Sequence, residues 1–234
     1  DAAATTPVSG AWEAIYVDSG TSRFEHVEIR YAGNRFSPGT GSGRTAAVHV
    51  RDEADPTLRD VVIADAENGG LYVDAGDPLL ERVRVEDSGG EAFFVELAAN
   101  PTFIDVTAIG NGANRVGLRG GTLTEDRDYD FNGLPVHLTT DLTIADGTSV
   151  SIVAGSVFKF PDGAFIVANG TLTAVGTEAE PLVFTTINDD TAGGDSNNDA
   201  AATTPVSGSW EAIYVDSGTS RIEPVELRYA GNRI

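Results

Sequence analysis

The sequence contains no cysteine, which excludes disulfide bonds, thiolate catalysis and the usual structural zinc sites. Lys159 is its single lysine, so amines for Schiff-base or phosphate chemistry are scarce. No apolar run approaches the roughly 20 residues that a membrane-spanning helix needs. We therefore expect no membrane insertion, and stability has to come from packing and hydrogen bonds.

Positive charge is also scarce. The 36 acidic residues outnumber the 15 basic ones and give a formal net charge of −21. Such a charge repels the phosphates of nucleic acids and anionic lipids and attracts cations, so nucleic acid is not expected as a partner. The acidic, lysine-poor and cysteine-free composition favours an extracellular or cell-surface location.

What the sequence does contain is repetition. Residues 1–36 reappear as residues 199–234, and 31 of the 36 positions are identical. A near-identical block at both ends is the pattern of one repeat period followed by the start of the next. We therefore expect an array of units about 198 residues long. The predicted segments are the start of one unit (1–36), regular coils (37–130), further coils ending in an acidic glycine-rich loop (131–198) and the start of the next unit (199–234).

A shorter period lies inside the long one. Segments that begin at Asp55, Asp77 and Asn100 each carry proline in second place and a strand-like apolar pattern after it, at spacings of 22 and 23 residues. Alternation such as Val83 and Val85 predicts β-strands, and Gly, Asn or Asp soon follows most runs.

This period selects a fold. Two or three short strands every 22 residues or so correspond to one coil of a parallel β-helix. Leucine-rich repeats share the length but need a helical segment and a leucine and asparagine signature, which the sequence lacks. A β-sandwich accounts for the short strands but not for the fixed spacing. We predict an all-β, right-handed parallel β-helix (β-solenoid) with coils of about 22 residues.

The stretches that begin at Leu142, Gly170, Glu180 and Trp210 resemble the large tandem-repeat right-handed β-helix surface proteins of bacteria. The resemblance covers most of the chain. It implies the same fold and an extracellular, adhesin-like protein, and it implies no particular activity.

The strongest candidate site is an acidic, glycine-rich stretch near residue 195. Asp195, Asn197 and Asp199 match positions one, three and five of a calcium-binding loop, but alanine stands where glycine is usual at position six and no glutamate closes the loop. Asp189 and Asp190 are the expected additional ligands, because Ca²⁺ takes six to eight oxygens. The sequence therefore predicts a Ca²⁺ site at these five residues, with a solvated acidic turn as the alternative.

Two functions remain open. The first is a structural or adhesive fibre segment, not an enzyme, whose partners are adjacent repeat units or copies of itself stacked end to end, with surface glycans as further candidates. The second is a carbohydrate-binding or polysaccharide-cleaving β-helix module, which needs clustered carboxylates on one face. Asp60, Glu81 and Asp105 lie in repeating columns, but Arg59 and Arg82 share those columns, as in a solvated ladder of charges.

Overall fold

The computed structural model describes residues 6–34, 45–216 and 218–231. These residues form 22 β-strands and no helix, so the all-β prediction is confirmed. No membrane-spanning helix is found among them. The chain forms two compact units: unit 1 comprises residues 1–94 and 101–113, and unit 2 comprises residues 95–100 and 114–234.

Unit 1 consists of parallel strands stacked in two sheets. The first sheet contains β1 (Ile15–Val17), β3 (Ala46–Val50), β5 (Gly69–Val73) and β7 (Glu91–Val95). The second contains β2 (Arg23–Arg30), β4 (Thr57–Ala64), β6 (Leu79–Glu86), β8 (Thr102–Ile104) and β9 (Thr107–Ile109). Neighbouring strands such as β4 and β6 place residues 22 apart side by side, as Arg59 and Glu81 are. This is the predicted parallel β-solenoid.

Unit 2 stacks in the same way, but in three sheets. One contains β10 (Ala113–Leu118), β13 (Val136–Leu138), β16 (Val157–Phe160), β19 (Leu182–Thr186) and β22 (Val225–Leu227). The next contains β11 (Gly121–Leu123), β14 (Leu142–Ile144), β17 (Ile166–Ala168) and β20 (Ile213–Val215). The third contains β12 (Arg127–Tyr129), β15 (Ser149–Ile152), β18 (Thr171–Val175) and β21 (Arg221–Glu223).

A column of left-handed residues bends the long strands of unit 1. His26, Asp60, Arg82 and Asp105 have φ of 55°, 53°, 52° and 51° and occupy equivalent places in successive coils. A residue with positive φ interrupts the alternation of side chains, so that the inward positions of β6 are Leu80 before the bend and Val83 after it. The bend turns one strand around a corner of the coil.

The interior of each coil is filled by residues from equivalent positions, which stack on one another. Val83 is fully buried, as its place in the period predicts. In unit 1 a separate column of buried rings runs from His49 through Tyr72 to Phe94, with centroids 5.4 and 5.7 Å apart, and lies on the other face of the strands from Phe93. Such contacts between successive coils stabilise the stack in addition to the parallel ladders.

Candidate functional site

The predicted calcium ligands lie in the long connection between β19 and β20, in unit 2. We call residues 188–203 the acidic loop. The chain folds back on itself there through left-handed residues, among them Gly193, Gly194 and Ala200, whose φ values are 67°, 73° and 54°. Ala200 thus adopts the conformation for which a calcium loop usually uses glycine at position six.

Three carboxylates converge in this loop. Asp190, Asp195 and Asp199 each offer an oxygen, and these oxygens lie within 4.8 Å of one another. Such a group carries up to three negative charges in a small volume, which favours a bound cation and disfavours the empty loop. The sequence predicted all three residues, and the fold brings them together.

Backbone amides hold two of these carboxylates in place. Asp195 accepts hydrogen bonds from the amides of Asp199 and Ala200, at 3.1 and 2.9 Å. Asp199 accepts from the amides of Ala202 and Thr203, both at 3.0 Å. Its pKa is lowered, first by the hydrogen bond from the Thr203 hydroxyl. The turn therefore positions both side chains, and Asp199 stays ionised.

Asp190 has a different environment. The pKa of its carboxyl group is raised, first by burial and then by the neighbouring Asp195 carboxylate. Its Oδ1 is buried and has no hydrogen-bond partner among the described residues, and the same holds for Oδ1 of Asn197. The amide group of Asn197 donates to Asp199 at 3.0 Å, which places this residue at the edge of the cluster. Two oxygens are thus left for a ligand to satisfy.

Asp189 lies apart from the cluster and faces inward. Its carboxylate is fully buried and accepts hydrogen bonds from Thr185 Oγ1 at 2.8 Å and from the Thr191 amide at 3.1 Å. Burial raises its pKa, but the hydrogen bonds from Thr191 and Thr185 outweigh burial, so the net shift is downward. Arg228 approaches the same carboxylate at 3.5 Å. Asp189 therefore anchors the loop to the adjacent strands.

Sequence reasoning missed the role of Lys159. This single lysine of the chain is fully buried in β16, and its Nζ donates to the carbonyl oxygens of Asp189 and Gly194, at 2.9 and 2.7 Å. Burial lowers its pKa to about 8, while the nearby carboxylates of Asp190 and Asp189 act in the opposite direction. A charged side chain between Phe158 and Phe160, in an otherwise apolar strand, was the available signal.

The charged columns of unit 1 form ion pairs between coils. Arg59 bonds Glu81 at 2.7 Å, and Arg82 bonds both oxygens of Asp60 at 2.6 and 3.0 Å. The hydrogen bonds from these arginines lower the pKa of Glu81 and of Asp60. A glycosidic general acid needs a raised pKa, so neither carboxyl group has the property that this role requires.

A second feature of unit 2 is a surface depression of about 760 Å³. Asp130, Glu180 and Glu226 contribute carboxylates to its lining. Arg228 bonds Glu226 at 2.8 Å, and Thr191 joins the depression to the acidic loop. This depression is one surface of unit 2 that a sugar chain would fit if the carbohydrate alternative held.

The tryptophans differ in exposure. Trp210 is fully buried and stacks on Phe160, with ring centroids 4.5 Å apart and planes 13° from parallel. Its counterpart Trp12 is 39% exposed. Trp210 thus belongs to the interior of the solenoid and is not available to stack on a sugar.

Comparison with known proteins finds no matching family profile, no matching curated protein and no matching solved structure.

Proposed function

We propose that this protein is a structural segment of an extracellular tandem-repeat β-solenoid, in which successive units stack end to end into a longer rod. The fold supports this role because a solenoid adds coils without changing its cross-section. The net charge of −21 disfavours side-by-side contact between such rods.

The main support for this proposal is the exposed edge of the last coil. Strands β20, β21 and β22 are the terminal strands of their sheets in the described part of the chain. Apolar side chains stand at this edge: Tyr214 is 45% exposed, Val215 is 42% exposed and Leu227 is 55% exposed. An open strand edge with apolar side chains is a template for further parallel pairing.

We further propose that the acidic loop binds Ca²⁺ as a structural ion. The three converging carboxylates and the two buried oxygens without partners support a hard cation with oxygen ligands. Bound calcium would neutralise part of the loop's charge and fix the connection that leads into β20 to β22.

The test of stacking uses a chain with two of the 198-residue repeat units, which are not the compact units 1 and 2 of the fold. This two-unit chain is made of residues 1–234 followed directly by a second copy of residues 37–234, and the one-unit chain is residues 1–234 alone. Small-angle X-ray scattering of the one-unit and two-unit chains gives the maximum dimension and the cross-sectional radius of gyration. We expect the maximum dimension to grow while the cross-section stays the same. Two separately tumbling bodies, or a thicker particle, would contradict the proposal.

Val215 provides a second, thermodynamic readout. In the one-unit chain Val215→Asp should cost little, because this side chain is already 42% exposed. In the two-unit chain the same substitution at the joint should lower the melting temperature clearly, because the next unit covers the position. Val153→Asp is the matched control. Val153 is 37% exposed and directly follows β15, which lies between β12 and β18 in its sheet and not at the terminal edge. An equal effect of Val215→Asp in both chains would count against stacking.

The carbohydrate alternative has its own assay. Incubation with acidic and neutral polysaccharides, followed by measurement of reducing ends and unsaturated products, should give no signal if the role is structural. Binding without cleavage would leave a glycan-adhesive role open alongside stacking, and cleavage would refute the structural proposal.

A further inference from the structure

The repeated block occurs twice in the chain, and its two copies share internal hydrogen bonds. The indole of Trp12 donates to the carbonyl of Arg30 at 2.8 Å, and the indole of Trp210 donates to the carbonyl of Arg228 at 2.7 Å. One backbone hydrogen bond also recurs, from Gly33 to Glu13 and from Gly231 to Glu211. The block is therefore one structural element seen in two settings.

The two copies use opposite edges of this element. In the first copy, β1 pairs with β3 and β2 pairs with β4, so the block binds the coil that follows it. In the second copy, β20 pairs with β17, β21 with β18 and β22 with β19, so the block binds the coil that precedes it. Each copy is a terminal coil in the described part of the chain, and each shows the pairing that the other lacks.

Side-chain burial changes in step with the pairing. Val17 is 5% exposed and Ile29 is 4% exposed in the first copy, where the following coil covers them. Their counterparts Val215 and Leu227 are 42% and 55% exposed. The tryptophan shows the opposite change: Trp210 of the second copy is fully buried against the preceding coil, whereas Trp12 of the first copy is 39% exposed. Every one of these apolar groups is thus covered in one of the two settings.

We infer that the block is a joint coil that uses both edges at once between consecutive units. This inference rests on the stacking proposed above and specifies its register. Strand β20 would lie between β17 and the β3 of the next unit. Strand β21 would lie between β18 and the first half of the next β4, and β22 would lie between β19 and the second half of that β4.

The differences between the copies are compatible with this arrangement. The substitution of His26 by Pro224 falls on the corner residue, which the β2–β4 register passes over between Glu25 and Val27. Proline at this place therefore removes no residue pair from the forward ladder, but its ring holds φ at about −65°, so the second copy turns this corner without the left-handed conformation of His26. The other structurally described differences, Ala11 to Ser209, Phe24 to Ile222 and Ile29 to Leu227, introduce no charge.

The partner in this joint is the next unit of the same chain. In a separate copy, the edge of β3 and β4 is already occupied by that copy's own first block. A second chain could bind there only after this block had dissociated, which costs the pairing of two strands. A unit that follows in sequence shares a single block, so no such displacement is needed.

Cysteine cross-linking tests the register, and the absence of native cysteine makes the probe clean. In the two-unit chain, Glu223→Cys at the joint is combined with Arg59→Cys in the second repeat unit. Glu25, the counterpart of Glu223, is the direct partner of Arg59 in the first copy. Neighbouring strands lie about 4.8 Å apart, within disulfide reach. We expect most of the chain to shift to the oxidised form on a non-reducing gel.

Two controls calibrate this result. Glu25→Cys with Arg59→Cys in the one-unit chain is the positive control. In the negative control Glu223→Cys is paired with Glu81→Cys in the second unit, two strand spacings or about 9.6 Å away, which is beyond disulfide reach. Equal cross-linking of the Arg59 and Glu81 pairs, or none of the Arg59 pair, would overturn the register.

The outcomes separate this inference from the proposed function. A two-unit chain that lengthens without the Glu223–Arg59 cross-link retains stacking and refutes the joint described here. A chain that does not lengthen refutes stacking itself. Finally, one-unit chains carrying Glu223→Cys are mixed with one-unit chains carrying Arg59→Cys. We expect little cross-linking between them, and abundant cross-linking would place the joint between separate copies and overturn its assignment to consecutive units.

Discussion

The two tryptophans of the repeated block offer a matched test of how much one coil of this solenoid stabilises its neighbour. Trp12 and Trp210 have the same internal hydrogen bond, but only Trp210 is fully buried, where it stacks on Phe160. Replacing each tryptophan with alanine removes the same chemical group. The difference between the two costs therefore measures the cover that the preceding coil provides.

The magnitude follows from burial. Truncation of a buried tryptophan to alanine costs about 3–5 kcal/mol, and a stacked ring pair adds roughly 1 kcal/mol. Trp12 is 39% exposed, and scaling the same cost by its buried share gives about 2–3 kcal/mol for Trp12→Ala. We thus expect Trp210→Ala to destabilise the protein by roughly 2 kcal/mol more than Trp12→Ala.

Urea unfolding followed by far-UV circular dichroism gives the free energies of both variants. Because a solenoid can unfold coil by coil, hydrogen exchange of β16 and β20 should accompany it and show the loss of protection near residue 210. Trp210→Phe, which keeps an aromatic ring against Phe160, should recover most of the loss. Equal costs for the two alanine variants would refute the assignment of Trp210 to the interior.

Three further predictions concern the core, proton uptake and calcium. Val83→Asp buries an unpaired charge and should lower the free energy of unfolding by about 3 kcal/mol or more. Val62→Asp, on the half-buried outer side of the neighbouring strand β4, should lower it by about 1 kcal/mol or less. Thermal melts that show equal losses for the two variants would contradict the register. Burial, and next the charge of Arg51, lower the pKa of His49 to about 4. The unfolded chain binds this proton near pH 6.5, so stability should fall as the pH drops from about 6.5 to 4, by up to about 3 kcal/mol, and His49→Phe should lack this component of the pH dependence. Calcium at a hundredfold excess over Kd should stabilise the protein by about 2.7 kcal/mol. Mg²⁺ should raise the melting temperature less than Ca²⁺ does, and a chelator should lower it. Identical melting curves in all three conditions would mean that the acidic loop is a solvated turn.

Much of the fold was determined by local sequence pattern. The recurrence of proline-led segments every 22 or 23 residues, with alternating apolar residues such as Val83 and Val85, was sufficient to predict parallel coils with these side chains inside. Stacked coils repeat the same environment at the same position, so each coil gives independent evidence for the period. The left-handed corners at Asp60 and Arg82 were not predicted, because each residue stands between strand-forming residues and Arg82 has no side-chain preference for positive φ.

The candidate site depended more on tertiary structure. The sequence alone identified Asp195 and Asp199, since their spacing is local, and it named Asp190 without fixing its position. Only the fold placed Asp190 beside them and turned Asp189 inward to Thr185 and Thr191. These choices depend on how the acidic loop packs against β16, through hydrogen bonds with Lys159, thirty or more residues away in sequence.

The repeated block shows the same division most directly. Its nearly identical residues determine the same internal hydrogen bonds in both copies, because those contacts are made within the block. The sequence cannot determine which edge pairs, or whether the tryptophan is covered, because both depend on the coil that lies next to the block. Burial is a property of neighbours, and in a solenoid the neighbours come from other coils and not from the block's own sequence.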